Sequence, residues 1–424
     1  MRALALVVVL AVALVALAPP GQAAGDDLVR ASFPAGTAVI PMDEKQADRL
    51  AAYGLVHALL RAGVPVHRVV TPPNPFFKTE GDWAGQEYAG GPFLVWPSYR
   101  STFDSVRANY TGVSTDRLRE LYIVRNVFAI VKPTAILVVK GYNPVTGLEV
   151  DYGRTEVTLD RMGIPYDSVN ISAIEATPNR IFNYDLVVAD CPAWYPQGIP
   201  NSVVVPLRLF VEEGGSLVFT DQALFTLGQV FPGVVRVSLG WYQGWVVNAT
   251  IHSDSGILGQ FYGQAAVTVR NEAPNSAVVT AVPPDATVLM DTAEFPAGFS
   301  GERVYRILAA NFTWGNGTVE VFAYHPADQP PASFDYTATL YGNIFVHSTP
   351  LLLPQLPATP PGLLAGGPLA PPPNVPPPPP PPSLALPSSP SLGYLFAGFA
   401  AVGMTEMIRG KVKLRRREKI AVRV

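Results

Sequence analysis

Three stretches of this chain are apolar at almost every position and stop at a polar residue or a glycine: "TAILVVKG" (Thr134 to Gly141), "YDLVVAD" (Tyr184 to Asp190) and "GGSLVFTD" (Gly214 to Asp221). A strand with one wet face alternates apolar and polar side chains, so continuous runs of this kind belong to strands buried on both faces. Between them, residues 149 to 163 and Val203 to Glu212 carry helical periodicity, and "YDSVNI" (Tyr166 to Ile171) supplies a further short strand. Strands and amphipathic helices in alternation predict α/β architecture: a flavodoxin-like, doubly wound parallel sheet with helices on both faces.

An earlier segment, residues 36 to 70, predicts a βαβ unit with parallel pairing. A strand at Ala38 to Met42 runs into Asp43, which with Gln46 has capping-box spacing. A helix follows that aligns Leu50, Tyr53, Val56, Leu59 and Leu60 and stops at Gly63, and a second strand spans Pro65 to Val70. After Pro232 the texture changes to short β-type runs separated by Gly, Asn, Pro and Asp. These predict antiparallel strands, as a β subdomain or as insertions before the last strand of the α/β sheet, with a closing helix at 335 to 348. The domain plan is therefore an α/β part over 25–232 and a β-rich region over 233–349.

The two ends read as targeting and anchoring segments. Residues 1–24 join Arg2, the apolar run "LALVVVLAVALVALA" and the small-residue stretch "GQAA", which is the pattern of a secretory signal peptide. Residues 391–408 are apolar apart from Glu406, and eight Lys and Arg follow Ser391. That order predicts a transmembrane helix with a basic cytoplasmic tail over 409–424, hence a single-pass type I protein with an extracellular ectodomain. Between ectodomain and membrane, residues 350–390 hold 18 of the 44 prolines, including "PPPNVPPPPPPP". Such a segment is an extended stalk, rising about 3.1 Å per residue.

The formal net charge of −3 conceals an acidic ectodomain. Setting aside Arg2 and the eight basic and two acidic residues after Ser391 leaves 21 basic against 31 acidic side chains. An excess of that size does not attract nucleic acid. Cys191 is the single cysteine, so no internal disulfide forms and stability rests on the core. Five glycosylation sequons, at Asn109, Asn170, Asn248, Asn311 and Asn316, fit a surface glycoprotein.

At "FNYDLVVADCPAW" and "VPLRLFVEEGGSLVFTDQAL" the chain resembles the class I glutamine amidotransferase-like superfamily, and most of all its ThuA-like or noncatalytic members. "VEVFAYHPAD" (319 to 328) is similar to the late strand and F-x-H-P-E motif of that group. The resemblance implies a nucleophilic cysteine on a Gly-x-Cys-x-Gly elbow after the "GGSLVFTDQALF" strand. Here that place holds Asp221 and Gln222. Cys191 stands one strand earlier, where the group forms its oxyanion loop; His325 matches the family histidine, and Ala327 replaces the family glutamate. What the resemblance implies is a member that has lost the family chemistry and serves binding or envelope organisation.

Four residues nevertheless keep catalysis open as a second reading. Cys191 with His325 could form a relocated thiol–base pair, and Asp190 and Asp221 could act at the sheet edge as acid and base of a glycan hydrolase. A sulfur and an imidazole within about 4 Å in an open cleft would mark the enzyme; aspartates that cap helices would mark a structural role. Three strands end in aspartate, at Asp43, Asp190 and Asp221, and gathered together these carboxylates could hold a hard cation. Trp194, Tyr195, Trp241, Tyr242 and Trp245 could offer flat faces to a sugar, or fill the core. His57 and His67 lack metal-ligand spacing, and no zinc, haem, P-loop or dinucleotide motif is present, so no cofactor is expected.

Overall fold

The computed structural model describes residues 29–142, 149–150, 154–241, 245–252, 258–263, 266–271, 276–293 and 306–347. The expected signal peptide, stalk, transmembrane helix and basic tail lie outside these residues. Among the described residues no helix is long and apolar enough to cross a membrane.

Strand β1 (Val29–Phe33), β2 (Ala38–Ile40), helix α1 (Arg49–Arg61), β3 (Val66–Val69), β4 (Phe93–Val95), α2 (Arg100–Arg107), β5 (Asp116–Arg117) and β6 (Tyr122–Ile130) come first. Their strands make a sheet of their own, in the order β1-β6-β3-β4-β2-β5. The expected parallel pairing of β2 with β3 is therefore corrected. Both run antiparallel to β4, so they share a direction, but β4 returns from the long 71–92 connection and takes the place between them. The capping box is corrected too. The N-cap of α1 is Asp48, whose carboxylate accepts the Ala51 N–H, while Gln46 binds the Pro41 and Ser114 carbonyls. Asp43 lies too far upstream to reach the free N–H groups of the first helical turn.

The second sheet is built from β7 (Ile136–Tyr142), α3 (Thr155–Met162), β8 (Asp167–Asn170), α4 (Ile171–Ala176), β9 (Leu186–Ala189), α5 (Asn201–Glu212), β10 (Ser216–Thr220) and α6 (Leu224–Val230). Next come β11 (Arg236–Trp241), β12 (Trp245–Ile251), β13 (Ala266–Asn271), β14 (Ser276–Ala281), β15 (Thr287–Thr292), β16 (Arg306–Trp314), β17 (Gly317–Phe322) and α7 (Pro331–His347). Five strands run parallel in the order β8-β7-β9-β10-β17. This is the flavodoxin-like order, with the reversal of winding between β7 and β9. Every residue of β9 and β10 is buried, as their unbroken apolar runs require.

The β-rich region is an insertion into this sheet. β16 pairs antiparallel with β17 and extends the sheet through β15, β12 and β13, while β14 pairs with both β16 and β11. Among the described residues, the last parallel strand thus arrives only after six antiparallel ones. Helix α7 begins four residues before the expected position and closes the fold despite its β-branched residues. Helix α1 packs on α3 and α7, and the Tyr53 hydroxyl of α1 donates to Asn343 of α7 at 2.6 Å, so one core cluster joins the two sheets.

Candidate functional site

Because β9, β10 and β17 are adjacent and parallel, the residues just beyond their carboxyl ends meet at one edge. Asp190 and Cys191 follow β9, Asp221 follows β10, and His325 lies three residues past β17. Sequence separations of 30 and 104 residues collapse into one cluster. The Cys191 Sγ lies 3.6 Å from Asp221 Oδ2. His325 Nε2 lies 3.8 Å from that same oxygen, and the three donor atoms are all within 4.8 Å of one another.

Asp221 sits on a sharp turn with φ +38°, in the left-handed region that side chains rarely adopt. Its carboxylate does not cap the helical turn that it begins. Oδ1 accepts the Ala277 N–H at 2.7 Å, and Ala277 belongs to the inserted strand β14, which reaches over the edge of the parallel sheet. Asp190 does serve as a cap, for an element other than its own. It accepts the N–H and the hydroxyl of Thr155, the first residue of α3, at 3.1 and 2.9 Å. The Thr220 hydroxyl also donates to it at 2.8 Å and accepts the Cys191 N–H at 2.9 Å.

Asp328 joins the cluster although no sequence motif singled it out. Its carboxylate meets His325 Nδ1 at 3.0 Å and so holds the ring in one orientation. The turn Pro326–Asp328 brings the carboxylate back to the ring, one residue beyond the position that the resemblance implies for an acid. The signal was present in "HPAD" as an acid three residues after the histidine.

Burial dominates the electrostatics. Asp190, Asp221 and His325 are 0% exposed and Cys191 is 1% exposed. Burial, aided by the negative charge of Asp221, pushes the Cys191 thiol well above its ordinary range. Burial also raises Asp190 and lifts Asp221 to about 6, against the opposing pull of His325. For His325, burial works against the charged form, but the bond to Asp328 and the nearby Asp221, Asp328 and Asp190 carboxylates outweigh it and raise the pKa. The cluster favours an imidazolium beside carboxylates and a neutral thiol. It brings the expected thiol and histidine together, yet in a closed interior.

The remaining candidates separate from this cluster. Asp43 is not gathered with Asp190 and Asp221. It accepts the Lys45 and Ala89 N–H groups at 3.1 and 2.9 Å and pairs with Lys45 Nζ at 3.0 Å. The proposed three-aspartate cation site is therefore corrected, because Asp43 lies beyond β2 of the first sheet and is bound there by Lys45 and Ala89. Trp194 is fully buried, so it offers no face to a sugar, and half-buried Tyr195 packs on Phe225 with ring centroids 5.1 Å apart. Tyr242 and the side chains of Trp241 and Trp245 lie outside the described residues. His57 is buried on α1 against the Thr134 carbonyl at 3.1 Å, and His67 stacks on Trp96. Of the sequons, Asn109, Asn170, Asn248 and Asn316 are exposed and Asn311 is half-buried on β16. Asn170 also caps α4 through the Ala173 N–H.

No family model matches the chain, and no curated protein matches it. Among solved structures, it is similar to a putative ThuA-like protein from Bacteroides uniformis at 11% identity, over 50% of this chain and 90% of that one, with a TM-score of 0.36. A glutamine amidotransferase from Thermotoga maritima aligns at 13% identity over 46% of this chain and 76% of its own, with a TM-score of 0.31. A cytoplasmic protein from Salmonella typhimurium aligns at 11% identity over 50% of this chain and 97% of its own, with a TM-score of 0.34.

Proposed function

We propose that this chain is a membrane-anchored surface glycoprotein whose amidotransferase-like ectodomain binds a partner or organises the cell envelope and does not catalyse. The observation that carries this reading is the closure of the chemical cluster: Cys191, Asp190, Asp221 and His325 expose at most 1% of their surface. A nucleophile must reach its substrate and must be deprotonated to attack. Cys191 is sealed, and its thiol is held in the neutral form. Asp190 spends both oxygens on Thr155 and Thr220, so it is committed to holding α3 and β10 together. In this reading the signal peptide exports the domain, and the proline stalk lifts it from the membrane anchor. The exposed sequons carry glycans, and the partner is a glycan or another envelope protein.

Two measurements on the full chain test this proposal. A small thiol reagent should leave Cys191 unmodified in the folded protein and react once it is unfolded. Chromogenic ester, amide and glycoside substrates should show no turnover above that of an Asp221→Asn variant. Rapid labelling together with turnover that the variant loses would overturn the noncatalytic reading in favour of a glycan hydrolase. Protease treatment of intact cells should release the ectodomain; its full protection would overturn the surface location.

A further inference from the structure

The cluster after β9, β10 and β17 holds three atoms of the kinds that bind a borderline-soft divalent cation: a thiol sulfur, a carboxylate oxygen and an imidazole nitrogen. Zinc bonds of about 2.0–2.3 Å in tetrahedral geometry place neighbouring donor atoms roughly 3.3–3.8 Å apart. The separations from Asp221 Oδ2 are 3.6 Å to Cys191 Sγ and 3.8 Å to His325 Nε2. The third separation, between the sulfur and the imidazole nitrogen, is within 4.8 Å, so side-chain rotation is needed to draw all three donors onto one ion.

A second, independent observation concerns the histidine. His325 is completely buried, and its Nε2 has no hydrogen-bond partner although it is aimed at the other two donors. A buried ring nitrogen without a partner costs free energy unless something occupies its lone pair or takes its proton. The opposite nitrogen, Nδ1, is held by the Asp328 carboxylate at 3.0 Å. A carboxylate behind the far nitrogen is the arrangement that fixes the tautomer and ring orientation of metal-bound histidines and strengthens them as ligands.

Charge points the same way. A thiolate and the Asp221 carboxylate would together offset a divalent ion in a buried place closed to bulk solvent. Without an ion, the same volume must hold two buried aspartates and a thiol against one imidazole. We infer that Cys191, Asp221 and His325 form a buried structural site for a divalent cation of the zinc class, with Asp328 positioning the histidine. The thiol proton leaves to solvent as the sulfur–metal bond forms, and a water or a small anion completes the tetrahedron. Such an ion would tie the ends of three parallel strands together, and through Asp221 it would fasten the inserted strand β14 over them. The inference is independent of the surface role proposed above, since a domain that binds a partner and one that does not could each be built on it.

The uniqueness of Cys191 makes the test decisive in the unmodified sequence. Tag-free full chain is unfolded with a chelator, refolded under reducing, oxygen-free conditions with increasing Co²⁺, and followed by absorption spectroscopy. The expected result is a thiolate-to-cobalt charge-transfer band with intense tetrahedral d–d bands, saturating at one Co²⁺ per chain and displaced by Zn²⁺. With no other cysteine in the chain, that band can come only from Cys191. Cys191→Ser should abolish the band, and Asp328→Asn should keep it while weakening affinity about 10- to 100-fold. Refolded protein with native far-ultraviolet circular dichroism but no charge-transfer band would overturn the inference. So would a spectrum unchanged in Cys191→Ser. Either failure would leave the surface role standing.

Discussion

Glu320 offers the sharpest test of how the extended sheet is held. It lies on β17, the seam between parallel and antiparallel halves, opposite Val218 on β10 and Asn311 on β16. The side chain is 1% exposed, and its Oε2 has no hydrogen-bond partner. Burial lifts its pKa from the ordinary 4.5 to about 8, only partly opposed by the Thr318 hydroxyl. Between those two values the folded protein keeps a proton that the unfolded chain releases. The contribution of this proton to stability is therefore complete below about pH 4.5 and is lost as the pH rises through about 8. A shift from 4.5 to about 8 corresponds to about 5 kcal/mol over the whole window, of which about 3 kcal/mol is already lost at pH 7. Glu320→Gln keeps the shape and removes the titration. Urea denaturation of both proteins at about pH 5, 6, 7 and 8 should show the variant gaining on the wild type. The gap should widen by at most tenfold in the unfolding constant per pH unit, with the m-value unchanged. Other titrating groups cancel in this difference. A gap constant across the range would show that Glu320 is ionised in the fold or reaches water, and the reasoning would fail.

Two further substitutions test the join between the sheets. Asp48→Ala removes the bond to the Ala51 N–H at the start of α1 and should cost about 1 kcal/mol, read from the denaturation midpoint. Gly54→Ala should lower the melting temperature although alanine favours a helix by about 1 kcal/mol. The new Cβ would stand 1.7 Å from the Met162 carbonyl oxygen at the end of α3. Backbone cannot rotate aside, so overpacking of about 3 kcal/mol outweighs the propensity gain; an unchanged or raised melting temperature would mean that α1 does not lie against α3 in this way.

Much of the element pattern was legible because it is local. Continuous apolar runs located β7, β9 and β10, and helical periodicity located α1 and α5, since burial on two faces or one dictates residue type at short range. Gly63, at φ +74°, closes α1 where the sequence predicted a stop. The order of partners was not local. Nothing within "AVI" or "FLV" says that β4 will lie between β2 and β3, because that choice depends on how a connection of more than twenty residues returns. The same holds for the site. The residue types at 191, 221 and 325 could be read one by one, and the resemblance assigned Asp221 and His325 to the ends of their strands. What could not be read is that these side chains would be buried together, with Asp221 held by a strand inserted before β17. Asp328 stands one residue beyond the position that the resemblance implies for an acid, and only the geometry of the turn brings it to the ring. Sequence alone determined which segments must be buried, because hydrophobic patterning acts over a few residues. Tertiary structure alone decided which polar groups meet and whether water reaches them, because both depend on strand order and on distant segments that cover the edge.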